Sequence, residues 1–256
     1  MPSPRIIISG GGTGGHIFPA IAIAEALKRA EPEAEFLFVG ARGRMEMERV
    51  PKAGYNIKGL WISGIQRSLT LKNLSFPFKL ISSLWNARKI VKSFKPDLAV
   101  GVCGYASGPL LKVATSMNIP SVIQEQNSYP GITNKLLAKS VDKICVAYEG
   151  MERWFPKEKI VLTGNPVREA VVDLKGKRKK AAKFFGLDPD LPSLLVVGGS
   201  LGARTINESI EKGLAEISEN GYQIIWQTGK LFADKAKETT EELASKSVVT
   251  LPFIDR

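Results

Sequence analysis

A short β-branched run, Ile6-Ile7-Ile8, passes into Ser9-Gly10-Gly11-Gly12-Thr13-Gly14-Gly15-His16 and then, from Pro19 to Ala30, into Ala, Ile and Leu at helical spacing. A buried strand that turns through five glycines into a helix leaves the chain few folds to choose from. Glycines let the backbone approach a ligand closely, and the helix start presents N–H groups and the positive end of its dipole to an anion, most often a phosphate. His16, the only histidine of the chain, stands at that start. A glycine turn can also serve packing alone, although one or two glycines suffice for that. Gly10, Gly12 and Gly15 satisfy G-x-G-x-x-G as well, which keeps a dinucleotide-binding oxidoreductase open. The second strand, Glu35 to Val39, then ends in Gly40-Ala41-Arg42, where an NAD enzyme would place an acid, and Arg42 suits at best a 2′-phosphate. No Lys-Ser or Lys-Thr follows the glycines, so a Walker A loop is excluded.

The rest of the chain repeats the strand-helix alternation. Met45 to Ala53 reads as a short helix, Tyr55 to Trp61 as a strand and Gly64 to Thr70 as a polar loop. Leu98 to Val102 is a buried strand that runs into a second glycine turn, Cys103-Gly104-Tyr105-Ala106-Ser107-Gly108-Pro109. Pro120 to Ile123 is a strand with Gln124-Glu125-Gln126-Asn127 at its end, and Thr133 to Lys139 is helical. Lys143 to Ala147 and Lys159 to Leu162 are further strands, the last ending in Thr163-Gly164-Asn165-Pro166-Val167-Arg168. Such alternation predicts an α/β fold with a mainly parallel, doubly wound sheet, whose strand C-termini gather the polar residues and bind the ligand.

Near Gly164 the pattern restarts, which places a domain boundary there and divides the chain into residues 1–163 and 164–256. Leu174 to Ala182, rich in Lys and Arg, reads as a solvated helix or linker. Ser193 to Val197 then runs into Gly198-Gly199-Ser200-Leu201-Gly202-Ala203-Arg204 and a helix, a repeat of the opening unit. Only two more strands follow, Ile224-Ile225-Trp226 and Val248-Val249, fewer than a complete doubly wound domain needs, so a fragment is expected. Asp188-Pro189-Asp190 has the D-x-D form of a metal-diphosphate motif, but its Pro-rich setting before a strand is that of a plain turn, and no metal is assigned to it.

At 256 residues with 44% hydrophobic content the chain can bury a sizeable core, and no apolar run is long enough to span a bilayer. The N-terminus enters a strand at once, without the layout of a signal peptide, so a cytoplasmic protein is expected. Cys103 and Cys145 fall in or beside buried strands and read as reduced core thiols. The net charge of +11 is localised: from Arg49 to Pro96 there are ten Lys and Arg and no Asp or Glu. Within that stretch Leu71, Leu74, Phe76, Phe78, Leu80, Ile81, Leu84 and Trp85 interleave with Lys72, Lys79, Arg88, Lys89 and Lys92. Large apolar groups flanked by cations suit a segment that inserts shallowly among anionic headgroups, with Lys72, Phe76, Phe78, Lys79, Trp85 and Arg88 as the contact residues. About half of the apolar residues are expected to form the core face of one long helix instead. No nucleic-acid-binding signature occurs, and no nucleic-acid partner is expected.

GGGTGGH after the first strand, GYASGP after the fourth, QEQN after the fifth, TGNPVR at the boundary and GGSLGA in the second half together resemble the MurG family, in the same order along the whole chain. The resemblance implies a GT-B architecture of two doubly wound domains facing a cleft, the second incomplete here. It implies an inverting hexosyltransferase of peptidoglycan synthesis that moves N-acetylglucosamine from UDP-N-acetylglucosamine to lipid I without a metal or other cofactor. It also implies a peripheral location on the cytoplasmic face of the bacterial inner membrane, with anionic inner-leaflet lipids and other cell-wall synthesis proteins as partners. Residue by residue, His16 matches the proposed catalytic base; Thr13, Gly14, Gly15, Asn127, Arg168, Ser200 and Ile254 match donor-binding positions; Tyr105, Ser107 and Glu125 fall on the acceptor side. Cys103, Gln124 and Leu201 stand where glycine, histidine and glutamine are usual. Members of the family continue through a segment that closes on the nucleotide, so at most trace transferase activity is expected of residues 1–256 alone.

Overall fold

The computed structural model describes residues 3–64, 75–172, 174–199, 201–243 and 247–254. They form two compact units, residues 1–172 and 173–256. In the first, the elements in chain order are β1 (Arg5–Gly10), α1 (Gly14–Ala30), β2 (Glu35–Ala41), α2 (Glu46–Lys52), β3 (Asn56–Leu60), α3 (Phe76–Phe94), β4 (Leu98–Val102), α4 (Ser107–Ser116), β5 (Ser121–Glu125), α5 (Ile132–Leu137), β6 (Lys143–Val146), β7 (Ile160–Leu162) and α6 (Glu169–Val172). The seven strands make one parallel sheet in the order β3-β2-β1-β4-β5-β6-β7.

Why the strands read as continuous apolar runs is visible in where alternate residues go. Ile6, Ile8, Phe38, Val100 and Val102 pack with Ile17, Ala20, Ile21 and Ala24 of α1 and Val50 of α2. Their neighbours Ile7, Leu37, Val39 and Ala99 pack on the other face, with Ala87, Ile90 and Val91 of α3 and Leu110, Leu111 and Ala114 of α4. A strand with a helix layer on each side has no solvent face, so its period-2 signal disappears. Each fully buried Ile or Leu contributes about 1.5–3 kcal/mol, and these two layers hold most of the apolar core.

Helix α1 begins at Gly14 rather than near Pro19, so Gly14 and Gly15 belong to its first turn and Pro19 lies inside it. Pro77 opens α3 at its first turn, where its missing N–H leaves no bond unmade. The segment 164–172, grouped with the second half by the restart of the sequence pattern, makes its contacts with the first unit. Arg168 stacks on Phe18, its Cζ 4.7 Å from the ring centroid, and Glu169 pairs with Arg29 at 3.3 Å.

The second unit contains α7 (Lys177–Phe185), β8 (Ser193–Val197), α8 (Arg204–Glu219), β9 (Gln223–Gln227), α9 (Ala233–Glu242) and β10 (Val248–Leu251). Its three strands form a parallel sheet in the order β10-β9-β8. Trp226, Leu214, Ile224, Val196, Ala236 and Val248 are its buried apolar centre. Helix α7 buries none of its residues, as a Lys-rich stretch should not. Along β8, Leu194, Leu195 and Val197 remain exposed.

Candidate active site

Strands β1 and β4 are neighbours whose helices leave in opposite senses along the sheet order, which makes the crevice beyond their C-terminal ends the natural ligand site of such a sheet. Both glycine turns of the first unit meet there. A Cβ on Gly104, whose φ is +86°, would stand 2.5 Å from the carbonyl oxygen of Gly11, so the two turns approach as closely as backbone allows. Ser107 Oγ lies 2.9 Å from Ser9 O and 2.6 Å from Cys103 O, and its proton is shared between the ends of β1 and β4. Ser107 is fully buried. Its hydroxyl is used in joining the two turns.

His16 is half-buried at the start of α1, with Nδ1 2.9 Å from Gly11 O. A carbonyl oxygen only accepts, so Nδ1 carries a proton, and in the neutral ring it is Nε2 that keeps the lone pair. Thr13 and Gly15 are exposed and Gly14 half-buried beside it, where the first N–H groups of a helix have no intrahelical partner. Tyr105 is exposed at its edge, its ring against Gly12 and Gly64.

At the end of β5, Glu125 is fully buried and both its oxygens are engaged. Oε1 accepts from Asn127 N and Asn127 Nδ2, each at 3.0 Å, and Oε2 accepts from Gly131 N and Asn134 Nδ2, each at 3.0 Å. With its hydrogen-bonding capacity used internally, Glu125 braces the loop that displays Asn127. Gln124 Nε2 reaches Asn165 Oδ1 at 3.5 Å, and Asn165 Nδ2 reaches Gln126 O at 3.5 Å, so the turn before Arg168 joins the same edge.

Cys103 takes a φ of +50°, the left-handed region where glycine is at ease and a side chain costs about 1–3 kcal/mol. Burial, and next the charge of Glu125, push its thiol up to about 12. Because a raised value leaves the neutral form dominant, roughly one molecule in ten thousand is thiolate at pH 8. Iodoacetamide at pH 8 should therefore leave Cys103 unmodified in the folded chain and alkylate it in guanidinium, as read by mass spectrometry; native modification would show that the thiol is not enclosed as described.

The second unit builds its own strand-end edge. The loop after β8, the turn Thr228-Gly229 after β9 and Ile254 after β10 lie at successive strand C-termini. Gln227, buried, ties two of them: Nε2 donates to Gly199 O at 2.9 Å and Oε1 accepts from Ile254 N at 2.9 Å. Ser200, like Lys72, lies outside the described residues. Among the described residues no cluster of His, Cys, Asp or Glu could hold a metal, and Asp188 Oδ1 accepts from Asp190 N at 2.8 Å within its turn.

Sequence reasoning passed over Glu46, Asn134 and Gln227, which touch these loops from behind. A hollow of the first unit lined by Glu35, Asn56, Lys58 and Phe94 lies at the N-terminal ends of β2 and β3, away from the glycine turns. The chemistry-bearing groups are all at the other edge.

The strand order, the paired glycine turns and the repeat of strand, glycine loop and helix in a second parallel sheet define a GT-B-type α/β protein. Residues 6–146 match the glycosyltransferase family 28 N-terminal domain and residues 193–256 its C-terminal domain. The chain belongs to glycosyltransferase family 28. It is 60% identical over 238 residues to a Cytophaga hutchinsonii protein named UDP-N-acetylglucosamine--N-acetylmuramyl-(pentapeptide) pyrophosphoryl-undecaprenol N-acetylglucosamine transferase, covering 93% of this chain and 64% of that protein. A protein of the same name from Flavobacterium psychrophilum is 54% identical over all 256 residues, 69% of its length. The chain thus spans about two thirds of the length of these relatives. Among solved structures, Acinetobacter baumannii MurG matches with a TM-score of 0.67 at 26% identity, over 99% of this chain and 67% of that one. The UDP-GlcNAc 2-epimerase of Neisseria meningitidis, solved with UDP-GlcNAc bound, has a TM-score of 0.68 at 14% identity over 98% of this chain and 73% of its own, a likeness of fold alone.

Proposed function

We propose that the protein carrying this chain transfers N-acetylglucosamine from UDP-N-acetylglucosamine to the C4 hydroxyl of the muramoyl sugar of lipid I, with inversion. The observation that carries this reading is the Nδ1–Gly11 O bond of His16 at the start of α1, which leaves Nε2 of the neutral ring as its basic nitrogen. The C4 oxygen attacks C1 of the donor sugar, the bond from C1 to the diphosphate breaks with its electron pair leaving on UDP, and the C4 proton passes to Nε2. Helix N-termini and the Arg168 guanidinium supply the positive field that an anionic leaving group needs. The first unit takes the acceptor, with Tyr105 at its edge, and the second holds the donor nucleotide through the Gly199 and Ile254 arms. Arg42, the residue a nicotinamide enzyme would turn to a 2′-phosphate, donates from Nε to Gly59 O at 3.0 Å. The test is a transfer assay with UDP-N-acetylglucosamine and lipid I, on this chain alone and supplied with the part of the Cytophaga hutchinsonii relative that it does not span. Saturable binding of NADPH with none of UDP-N-acetylglucosamine would reverse the assignment.

The same reading sets the protein on an anionic membrane surface. Helix α3 divides as its pattern requires: Ala87, Ile90 and Val91 are buried, with Leu80 and Leu84 packed against the core. Phe78, Ile81 and Trp85 are 71%, 67% and 59% exposed along the opposite face, beside exposed Arg88, Lys89 and Lys92. Lys89 Nζ lies 3.4 Å from the Trp85 ring centroid. Phe76 is half-buried, and Lys79 donates to Ser63 Oγ at 3.1 Å, so these two expected contacts are less available than the rest. Among the described residues no helix is long and apolar enough to cross a membrane. With each cation near anionic lipid contributing about 1 kcal/mol, attachment should be reversible and salt-sensitive. Phe78→Ser with Trp85→Ser should weaken co-sedimentation with phosphatidylglycerol vesicles about tenfold or more; binding indifferent to both salt and the double change would remove α3 from the contact.

A further inference from the structure

Glu46 is a charged residue in a stretch of alternating charge, Arg44-Met45-Glu46-Met47-Glu48-Arg49, yet it is only 1% exposed. Its Oε1 accepts from Ala41 N at 2.9 Å and its Oε2 from Gly12 N at 3.0 Å. The space it fills explains two glycines, because a Cβ on Gly11 would collide with its carboxylate and a Cβ on Gly40 with its Cγ. The Gly12 N–H that Glu46 holds and the Gly11 carbonyl that His16 holds belong to one peptide group. A carboxylate accepting from the N–H of a peptide polarises it, which makes its carbonyl a stronger acceptor.

We propose that Glu46 is a positioning residue for His16, acting through the Gly11–Gly12 peptide: the carboxylate orients and polarises that peptide, and the peptide holds the imidazole in the tautomer with Nε2 free. The arrangement places an amide between carboxylate and imidazole where other enzymes join them directly. It rests on the transferase reading for its purpose, since a base needs its lone pair toward the acceptor and a positively charged ring needs support as it takes the proton. It also accounts for a buried carboxylate that, among the described residues, accepts from two backbone N–H groups and pairs with no cation.

The chain has one histidine, so ring ¹⁵N signals from a tag-free, ¹⁵N-histidine-labelled sample report His16 alone. In the wild type, above the range where the ring is protonated, Nδ1 should be the protonated nitrogen and Nε2 the bare one. Glu46→Gln, nearly isosteric, keeps one acceptor and loses the charge; its ring should shift toward the Nε2–H tautomer. In the transfer assay its kcat should fall about 10- to 50-fold while KM for UDP-N-acetylglucosamine stays within about twofold, a split that loss of one polarising hydrogen bond gives and general unfolding does not. Glu46→Asp, with the charge but a shorter reach, should fall between. A wild-type ring in the Nε2–H form, or a Glu46→Gln ring unchanged from wild type, overturns the proposal. Should Glu46→Gln fail to fold, the wild type still decides through the Gly12 amide proton, which a charged acceptor moves downfield and whose ordinary position would overturn it. A ring that responds to Glu46 in a protein transferring no sugar would leave the coupling standing and remove the transferase reading; an active enzyme indifferent to Glu46→Gln would do the reverse.

Discussion

Replacing His16 with alanine is expected to lower kcat for transfer to lipid I by about 10²–10⁴, the range that a positioned general base supplies, with little change in donor KM. Asparagine at the same place makes the sharper experiment. Its side-chain amide can still donate to Gly11 O, keeping the bond that His16 Nδ1 makes at 2.9 Å, but it has no basic nitrogen to offer. His16→Asn should therefore match the wild type in thermal unfolding and match alanine in rate. His16 is half-buried at a helix start rather than in the core, so neither variant should destabilise the fold by more than about 1 kcal/mol. A His16→Asn enzyme within threefold of the wild-type rate would mean that another group, or water, removes the proton.

What the sequence discloses follows from how local each feature is. Ile6-Ile7-Ile8 could be read as a buried strand because helices on both faces demand apolar residues at every position, and composition alone records that. The glycine turns could be read because the need for a missing side chain is written in the residue itself. Glu46 could not: between arginines it has the look of a solvated helix surface, and its burial depends on Gly12 and Ala41, brought to it only by the fold. Glu125 and Ser107 show a second kind of information that stays out of the sequence. Both stand in motifs that bind ligands in the resemblance, yet their polar atoms are used within the protein, by Asn127, Gly131 and Asn134 in one case and by Ser9 and Cys103 in the other. A motif identifies the loop; only the three-dimensional hydrogen-bond inventory tells which of its residues face outward. Helix α3 lies between these cases, since its 3.6-residue period separates Ile90 and Val91 from Phe78 and Trp85 but cannot say that Lys79 turns toward Ser63.

In the second unit the largest effect should come from Gly229→Ala. Gly229 has a φ of +74°, which costs an alanine about 1 kcal/mol or more before any contact is counted. An added Cβ would also collide with the carbonyl oxygen of Leu201, a backbone atom that cannot rotate away. The interference is mutual: Gly202, at φ +80°, would bring a Cβ onto the carbonyl of Thr228. The loop after β8 and the turn after β9 are thus in backbone contact, and any side chain between them must part them. Parting them pulls against Gln227, which holds Gly199 and Ile254 together, so the variant should lose UDP-N-acetylglucosamine binding as well as stability. With a buried apolar cluster of six residues among the described ones to resist, the unit should lose about 3 kcal/mol or more. Trp226 is the only one of the four tryptophans in residues 173–256, so 5-fluorotryptophan labelling separates the two units in one titration. In Gly229→Ala the Trp226 resonance should pass to its unfolded position at a lower urea concentration, while those of Trp61, Trp85 and Trp154 keep their midpoint. A Trp226 midpoint equal to wild type would mean that the two loops do not press on each other as this geometry requires.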